Sequence, residues 1–282
     1  MDCFYINLDS ATERRQRIEE NFAAHKKPGW TLARFPAVDK TYVAANGIPG
    51  ETKPGEKGCF LSHQLLMESR LGDDDTYLIM EDDAQFGVRT CTLVDVVLKR
   101  NRHLDWDILY TDVCIPNVVN MFELLKYRRD LRKKKIEVAF MDLNGVGFAG
   151  TTAYLVNGKS KRKVRDALAS YRPIDLPYDL FLRQQVHSGA LKIFSLFPFV
   201  TTLSDYSDAS QIKAADAEPI ETAWNMFRKM IWMERNLSRS KAALDFMKAT
   251  LCHEDELIAG AEGDEELSAF KILFSSMASM RA

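Results

Sequence analysis

The sequence predicts an α/β domain on a mostly parallel central sheet with helices on both faces, followed by a helical C-terminal segment. Three observations carry this prediction. Apolar runs of strand length alternate with amphipathic stretches of helical period across residues 1–213. From Ala214 to Ala282 the helical period continues with no strand-like run, so residues 214–282 are predicted as a helical appendage. The 282 residues, 46 % hydrophobic and 28 % charged, can bury a core without help from disulfides or a structural metal.

The elements follow in order. Cys3 to Leu8 reads as a buried strand. Ser10 is placed to cap the next helix, with Glu13 completing a capping box ahead of Ile18 and Phe22. Trp30 to Val38 is extended, and Thr41 to Gly55 reads as loop from its glycines and prolines. Cys59 to Leu71 is predicted helical, ended by Gly72. Thr76 to Met80 is a strand that breaks into Glu81-Asp82-Asp83. Thr92 to Asn101 is a helix, Asp107 to Tyr110 a strand and Met121 to Lys135 a helix. Glu137 to Met141 and Thr152 to Val156 read as strands around Gly145, Gly147 and Gly150. Helices are predicted for Ser160 to Ala169 and Tyr178 to His187, with Leu191 to Leu196 extended. In the last segment Trp224, Phe227 and Ile231 share one helix face, and Leu244, Met247 and Leu251 share another. Asp264 is placed to cap a third helix carrying Phe270, Leu273 and Phe274.

Charge and cysteine usage narrow the function. Lys plus Arg number 38 against 40 Asp plus Glu, for a formal charge of -2, which excludes a globally basic nucleic-acid binder. The five cysteines are scattered without a CxxC pair, as suits reduced thiols in a cytoplasmic protein rather than a zinc motif. No basic leader precedes an apolar run, and no stretch approaches 18 apolar residues.

Five constellations are candidates for chemistry. The period of two along a strand places Glu81 and Asp83 on one face, where two carboxylates suit Mg²⁺ or Mn²⁺ with diphosphate oxygens completing the shell; a solvated strand end is the plainer reading. Ser62 and His63 fall in the first turn of their predicted helix, where free N–H groups attract anions, although Ser62 as a cap and His63 as a surface or core residue is the plainer reading. Arg14, Arg15 and Arg17 follow the first strand and either reach a phosphate or lie in solvent. The run from Arg128 to Lys135 is a solvated helix face or a contact for an anionic acceptor or membrane. Asp175 and Asp179 are turn or cap acids that are also placed to supply a general base.

Taken in order, these motifs resemble glycosyltransferase family 25, which includes bacterial lipo-oligosaccharide and animal collagen galactosyltransferases. The likeness runs through Tyr5-Ile6-Asn7-Leu8, Glu13-Arg14-Arg15, Phe35-Pro36-Ala37-Val38-Asp39 and Gly58-Cys59-Phe60-Leu61-Ser62-His63. It continues in Leu78-Ile79-Met80-Glu81-Asp82-Asp83, Asp107-Ile108-Leu109-Tyr110, Gly150-Thr151-Thr152-Ala153-Tyr154 and Leu176-Pro177-Tyr178-Asp179, covering about residues 1–212. The resemblance implies a GT-A fold over residues 1–213 and inverting transfer of a hexose, galactose or glucose, from a UDP-sugar donor. The acceptor would be a hydroxyl of a glycan, a lipid-linked sugar or a protein, and the setting cytoplasmic or peripheral at the inner membrane face, as in lipopolysaccharide biosynthesis. By motif, Asn7, Leu8 and Asp39 would surround the nucleoside, and Arg14 and Asp82 would lie near the donor. Ser62 and His63 would sit on the donor-side helix, and Glu81 and Asp83 would hold Mn²⁺ or Mg²⁺. Asp179 is the expected base and Asp175 the second candidate. Thr111 to Pro116 lacks the expected glycine-rich continuation, and the C-terminal helices have no counterpart in the motifs.

Two other classes compete. In a receiver-like signalling module Asp112 would take a phosphoryl group while Asp82 and Asp83 hold Mg²⁺, but 29 residues from Asp83 to Asp112 are too few for the intervening helix, strand and helix. A catalytically inactive nucleotide-sugar-binding protein would carry the same motifs.

Overall fold

The computed structural model describes residues 1–72, 75–204, 219–235, 245 and 265–279. The strands are β1 (Asp2–Asn7), β2 (Thr31–Pro36), β3 (Tyr77–Glu81), β4 (Ala84–Phe86), β5 (Ile108–Cys114), β6 (Ala139–Asp142), β7 (Ala149–Val156), β8 (Ile193–Phe197) and β9 (Thr201–Leu203). The helices are α1 (Thr12–His25), α2 (Lys40–Ala45), α3 (Pro54–Ser69), α4 (Thr90–Arg100), α5 (Val118–Lys133), α6 (Lys161–Ser170), α7 (Tyr178–His187), α8 (Pro219–Ile231) and α9 (Glu265–Ser279).

Seven strands form one sheet in the order β2-β1-β3-β7-β5-β8-β6, and β4 with β9 make a two-stranded ribbon. β1, β2, β3, β5 and β8 run one way, whereas β6 and β7 run the other. The sheet is thus mostly parallel, with β7 wedged antiparallel between β3 and β5. That wedge excludes the receiver reading, whose sheet is parallel throughout, and Asp112 lies inside β5 rather than at its end.

Alternation along the strands sorts side chains into two apolar layers. Cys3, Tyr5, Leu78, Met80, Leu109 and Leu155 pack with Ile18 and Phe22 of α1 and with Leu93, Val94 and Val97 of α4. Their neighbours Ile6, Ile79, Tyr110 and Tyr154 face the other layer, with α3, α5, α6 and α7. Ala223, Met226, Phe227, Met230 and Ile231 of α8, and Phe270 and Leu273 of α9, belong to that same cluster. The helix face expected from Trp224, Phe227 and Ile231 is present, with Trp224 only partly buried. The boundary expected at 213/214 and the helix expected from Leu244 to Leu251, like the cap at Asp264, lie outside the described residues.

Several local expectations are corrected. α1 starts at Thr12 with Ala11 in the cap position, so Ser10 and Glu13 form no capping box. Part of the expected loop is helix: Asp39 caps α2, its side chain accepting from the Tyr42 N–H at 2.7 Å. α3 begins at Pro54, five residues earlier than expected, and the Glu56 side chain accepts from the Lys53 N–H at 2.9 Å. Ser62 and His63 therefore sit deep in α3, where backbone N–H groups are already paired, and the anion-binding reading of that turn fails.

The basic run is split by its packing. Arg128 is buried, donating to the Met230 carbonyl at 3.1 Å and pairing with Glu266 at 2.9 Å, while Arg132 pairs with Glu266 at 3.1 Å. These two residues tie α5 to α8 and α9, so the exposed Arg129, Lys133, Lys134 and Lys135 are what remains of the run to face solvent or the surface of a membrane. Among the described residues no helix is long and apolar enough to cross one.

Candidate functional site

The carboxyl ends of β1, β3 and β5 and the start of antiparallel β7 meet along one edge of the sheet. Such an edge is where open α/β sheets bind ligands. A cavity of about 370 Å³ opens there, lined by Glu81 and Asp83 after β3, Gly150 to Thr152 of β7, Pro177 to Leu180 of α7, and Glu221, Trp224 and Arg228 of α8. The turn out of β3 is held in place because β4 pairs with β9 and the Ser204 N–H donates to the Asp83 carbonyl at 2.8 Å.

Glu81 and Asp83 both reach the cavity, although β3 ends at Glu81 and Asp83 lies in the turn that follows it. One Glu81 oxygen accepts from the Thr151 hydroxyl at 2.5 Å. Burial, then the negative charge of Asp83, pushes Glu81 up to about 7. Burial likewise pushes Asp83 up to about 6, against the pull of Arg14. Asp83 Oδ1 is buried with no hydrogen-bond partner. Two buried carboxylates on one cavity wall, one with an oxygen that has no hydrogen-bond partner, make a donor set that a divalent cation with oxygen preference fits.

Asp82 points the other way. It accepts from Asn7 Nδ2 at 2.7 Å and pairs with Arg14 at 2.5 Å; Arg14 also reaches Asp83 at 3.4 Å. Arg34 Nε donates to Asn7 Oδ1 at 3.0 Å. Asn7, Arg14 and Asp82 are thus one network sharing a wall with the cavity. Leu8 is half-buried beside it, and Asp39 is exposed at the cap of α2; neither lines the cavity. Ser62 is structural: its hydroxyl donates to the Gly58 carbonyl at 2.7 Å and accepts from the Val38 N–H at 2.8 Å. His63 lies wholly beneath the cavity, stacked on Tyr178 with ring centroids 4.2 Å apart.

The two candidate bases separate. Asp179 lines the cavity, with Oδ2 accepting from the Gly150 N–H at 2.8 Å. Asp175 is exposed outside it, accepting from the Glu51 N–H at 3.0 Å.

Sequence reasoning missed Arg228. Its guanidinium is buried, pairs with Asp112 at 2.5 Å and donates to the Thr152 hydroxyl at 2.8 Å. It also draws Asp83 down electrostatically. A signal was present: residues 224, 227, 228 and 231 follow the i, i+3, i+4, i+7 stripe, so Arg228 lies on the apolar face. Asp112 is its buried counter-ion.

The sequence model of glycosyltransferase family 25 (LPS biosynthesis protein) matches residues 1–182. A "Glycosyltransferase 25 family member" of Aedes aegypti is 30% identical over 125 residues, 38% of this chain and 20% of that protein. One from Anopheles gambiae is 32% identical over 126 residues, 38% of this chain and 21% of its own length. The "Lipooligosaccharide biosynthesis protein lic2B" of Haemophilus influenzae is 32% identical over 90 residues, 30% of this chain and 34% of that protein. The chain therefore spans between a fifth and about a third of the curated relatives it matches.

Proposed function

The chain belongs to glycosyltransferase family 25, and on that premise we propose that it transfers a hexose from a UDP-sugar to an acceptor hydroxyl with inversion at the anomeric carbon. The observation that carries the reading is the convergence of Glu81, Asp83 and Asp179 on one cavity at the carboxyl edge of the sheet. A GT-A type nucleotide-sugar site is the natural occupant of that edge.

In this reading Glu81 and Asp83 would hold Mn²⁺ or Mg²⁺, whose charge would offset that of the leaving diphosphate. Arg14, paired with Asp82, which Asn7 holds in turn, adds a guanidinium on the same side. Asp179 is separate from the acidic pair and takes the acceptor proton as the hydroxyl oxygen attacks from the opposite side. The acceptor is a glycan hydroxyl, free or lipid-linked, as the names of the family and of the Haemophilus protein suggest.

The test is thermal unfolding of the full chain with UDP-galactose or UDP-glucose, with and without Mn²⁺. Ligand at 100 times its Kd adds about 2.7 kcal/mol. Stabilisation by a UDP-hexose only when Mn²⁺ or Mg²⁺ is present supports the proposal. Stabilisation by neither sugar removes the UDP-hexose donor. Binding with neither transfer nor donor hydrolysis marks an inactive sugar-nucleotide binder.

A further inference from the structure

Beneath the acidic mouth of the cavity lies a second donor set, which the transfer reading uses only in part. Cys59 and His63 are four residues apart on α3 and share one face of that helix. The end of β3 brings Glu81 against them, so that one ligand atom from each of the three lies within 4.8 Å of the other two.

His63 is held as a ligand would be. Its Nδ1 is hydrogen-bonded to the Tyr154 hydroxyl at 2.7 Å, and that hydroxyl is bonded in turn to the Tyr178 hydroxyl at 2.8 Å. The imidazole is stacked on the Tyr178 ring, which fixes its plane. Nε2 is left over: it is buried and has no hydrogen-bond partner, in a residue with no exposed surface. An unpaired buried nitrogen is costly to keep in a core, and a histidine clamped through one ring nitrogen with the other free is the arrangement metal-ligating histidines use.

The chemistry of the set points to a particular class of ion. A thiolate and an imidazole are poor ligands for Mg²⁺ and good ones for Zn²⁺, which takes S, N and O together at four-coordinate centres. Burial keeps the Cys59 thiol protonated in the absence of metal. Coordination would therefore release that proton to solvent as the S–metal bond forms. Cys59 and Glu81 line the cavity while His63 lies behind it, so the cavity is the way in and its open side offers the fourth position to water.

The geometry points to a Zn²⁺-class site formed by Cys59 Sγ, His63 Nε2 and a Glu81 carboxylate oxygen, open to the cavity at its fourth position. Because Glu81 cannot serve two ions fully, zinc bound here draws it away from the pair with Asp83. On the transferase reading, zinc is then an inhibitor that competes with Mn²⁺ or Mg²⁺.

Cobalt substitution in the purified full chain, without nucleotide, tests the site independently of whether the protein is a transferase. Co²⁺ alone is the probe. Wild-type protein is expected to show a thiolate-to-cobalt band in the near ultraviolet with the strong visible bands of four-coordinate cobalt, and Zn²⁺ should displace both. Cys59→Ala should lose the near-ultraviolet band. Glu81→Gln should retain it with altered visible bands and weaker binding. Tyr154→Phe, which removes only the clamp on Nδ1, should weaken binding roughly 10- to 100-fold. Absence of the thiolate band in the wild type, or its persistence in Cys59→Ala, would overturn the site. Circular dichroism of each variant separates loss of the site from loss of the fold.

Discussion

Asp179 and Asp175 lie four residues apart, yet only Asp179 reaches the cavity, and the difference is a matter of backbone placement. Pro177 precedes α7, so Asp179 falls in the first helical turn beside Gly150, while Asp175 remains in the preceding loop against Glu51. Asp179→Asn is expected to keep donor affinity and lower kcat by roughly 10² to 10⁴, the usual scale of general-base catalysis. Asp175→Asn should cost much less, and wild-type turnover by Asp179→Asn would remove it as the base. A second residue-scale expectation concerns pH in metal-free protein. Glu81 has a folded pKa of about 7 against an ordinary 4.5, so it binds its proton more tightly when folded. Its contribution to stability is present in acid and is lost as pH rises towards 7, and Asp83, raised to about 6, acts with the same sign. His63 is opposite: burial lowers it to about 3 from 6.5, so its contribution is complete above 6.5 and is lost as pH falls towards 3. The effects oppose one another between about 4.5 and 6.5. In excess chelator, Glu81→Gln should therefore lose more of its urea midpoint than wild type on going from about pH 7 to about pH 5. Equal losses would contradict this. The acidic motif was legible because a strand ending in three carboxylates is a local pattern, whereas Arg228 showed locally only as a charge on an apolar helix face, its partner Asp112 lying 116 residues away.

The ends of helices show how local chemistry decides what a sequence reveals. α7 runs from Tyr178 to His187 as its spacing predicts, because Pro177 marks its start and Tyr178, Phe181, Leu182 and Val186 form one buried stripe. α2 escapes such reading because six residues are too short to show a period, and only the Asp39 cap signals it. α3 starts early because Pro54 suits a first helical position, while its neighbouring glycines read as loop. α5 ends in a Schellman arrangement without the customary glycine. The Ile136 N–H bonds to the Leu131 carbonyl at 2.9 Å and the Lys135 N–H to the Arg132 carbonyl at 3.0 Å. Lys135 takes φ 56 to make this turn, a left-handed conformation that costs a non-glycine residue about 1–2 kcal/mol. Lys135→Gly relieves that strain but gives back about 0.4–1 kcal/mol through the freer unfolded chain. The net is an expected gain of about 0.5–1 kcal/mol in chemical denaturation. A loss of stability would show that the lysine side chain contributes something beyond the turn.

At the scale of the molecule, the sequence supplies the alternation of strands and helices but not the direction of each strand. β7 ends in a buried apolar run, Ala153 to Val156, like those of its neighbours, and nothing in that run marks it as antiparallel. The same limit applies to the C-terminal helices, which read as an appendage because their contacts are distant in sequence. α8 instead completes the cavity side of the core: Ala223, Phe227, Met230 and Ile231 are fully buried, and Trp224 and Arg228 wall the cavity. Each large apolar side chain taken from that core forfeits about 1.5–3 kcal/mol. Removing Arg228 also strands Asp112 as a buried charge without its partner, which costs about 3–5 kcal/mol. Together these approach or exceed the whole stability of an ordinary domain, about 5–15 kcal/mol. A chain ended after Ser204 is therefore expected to lose cooperative unfolding and to aggregate, rather than persist as a donor-binding unit. Arg228→Ala in the full chain isolates the charge alone and should lower stability by about 3–5 kcal/mol in urea denaturation. A soluble 1–204 fragment that unfolds cooperatively and binds UDP-hexose with Mn²⁺ would return α8 to the role of an appendage. It would also mean that Asp112 escapes the cost of an unpaired buried charge, by protonation or by exposure to water, once its arginine is gone.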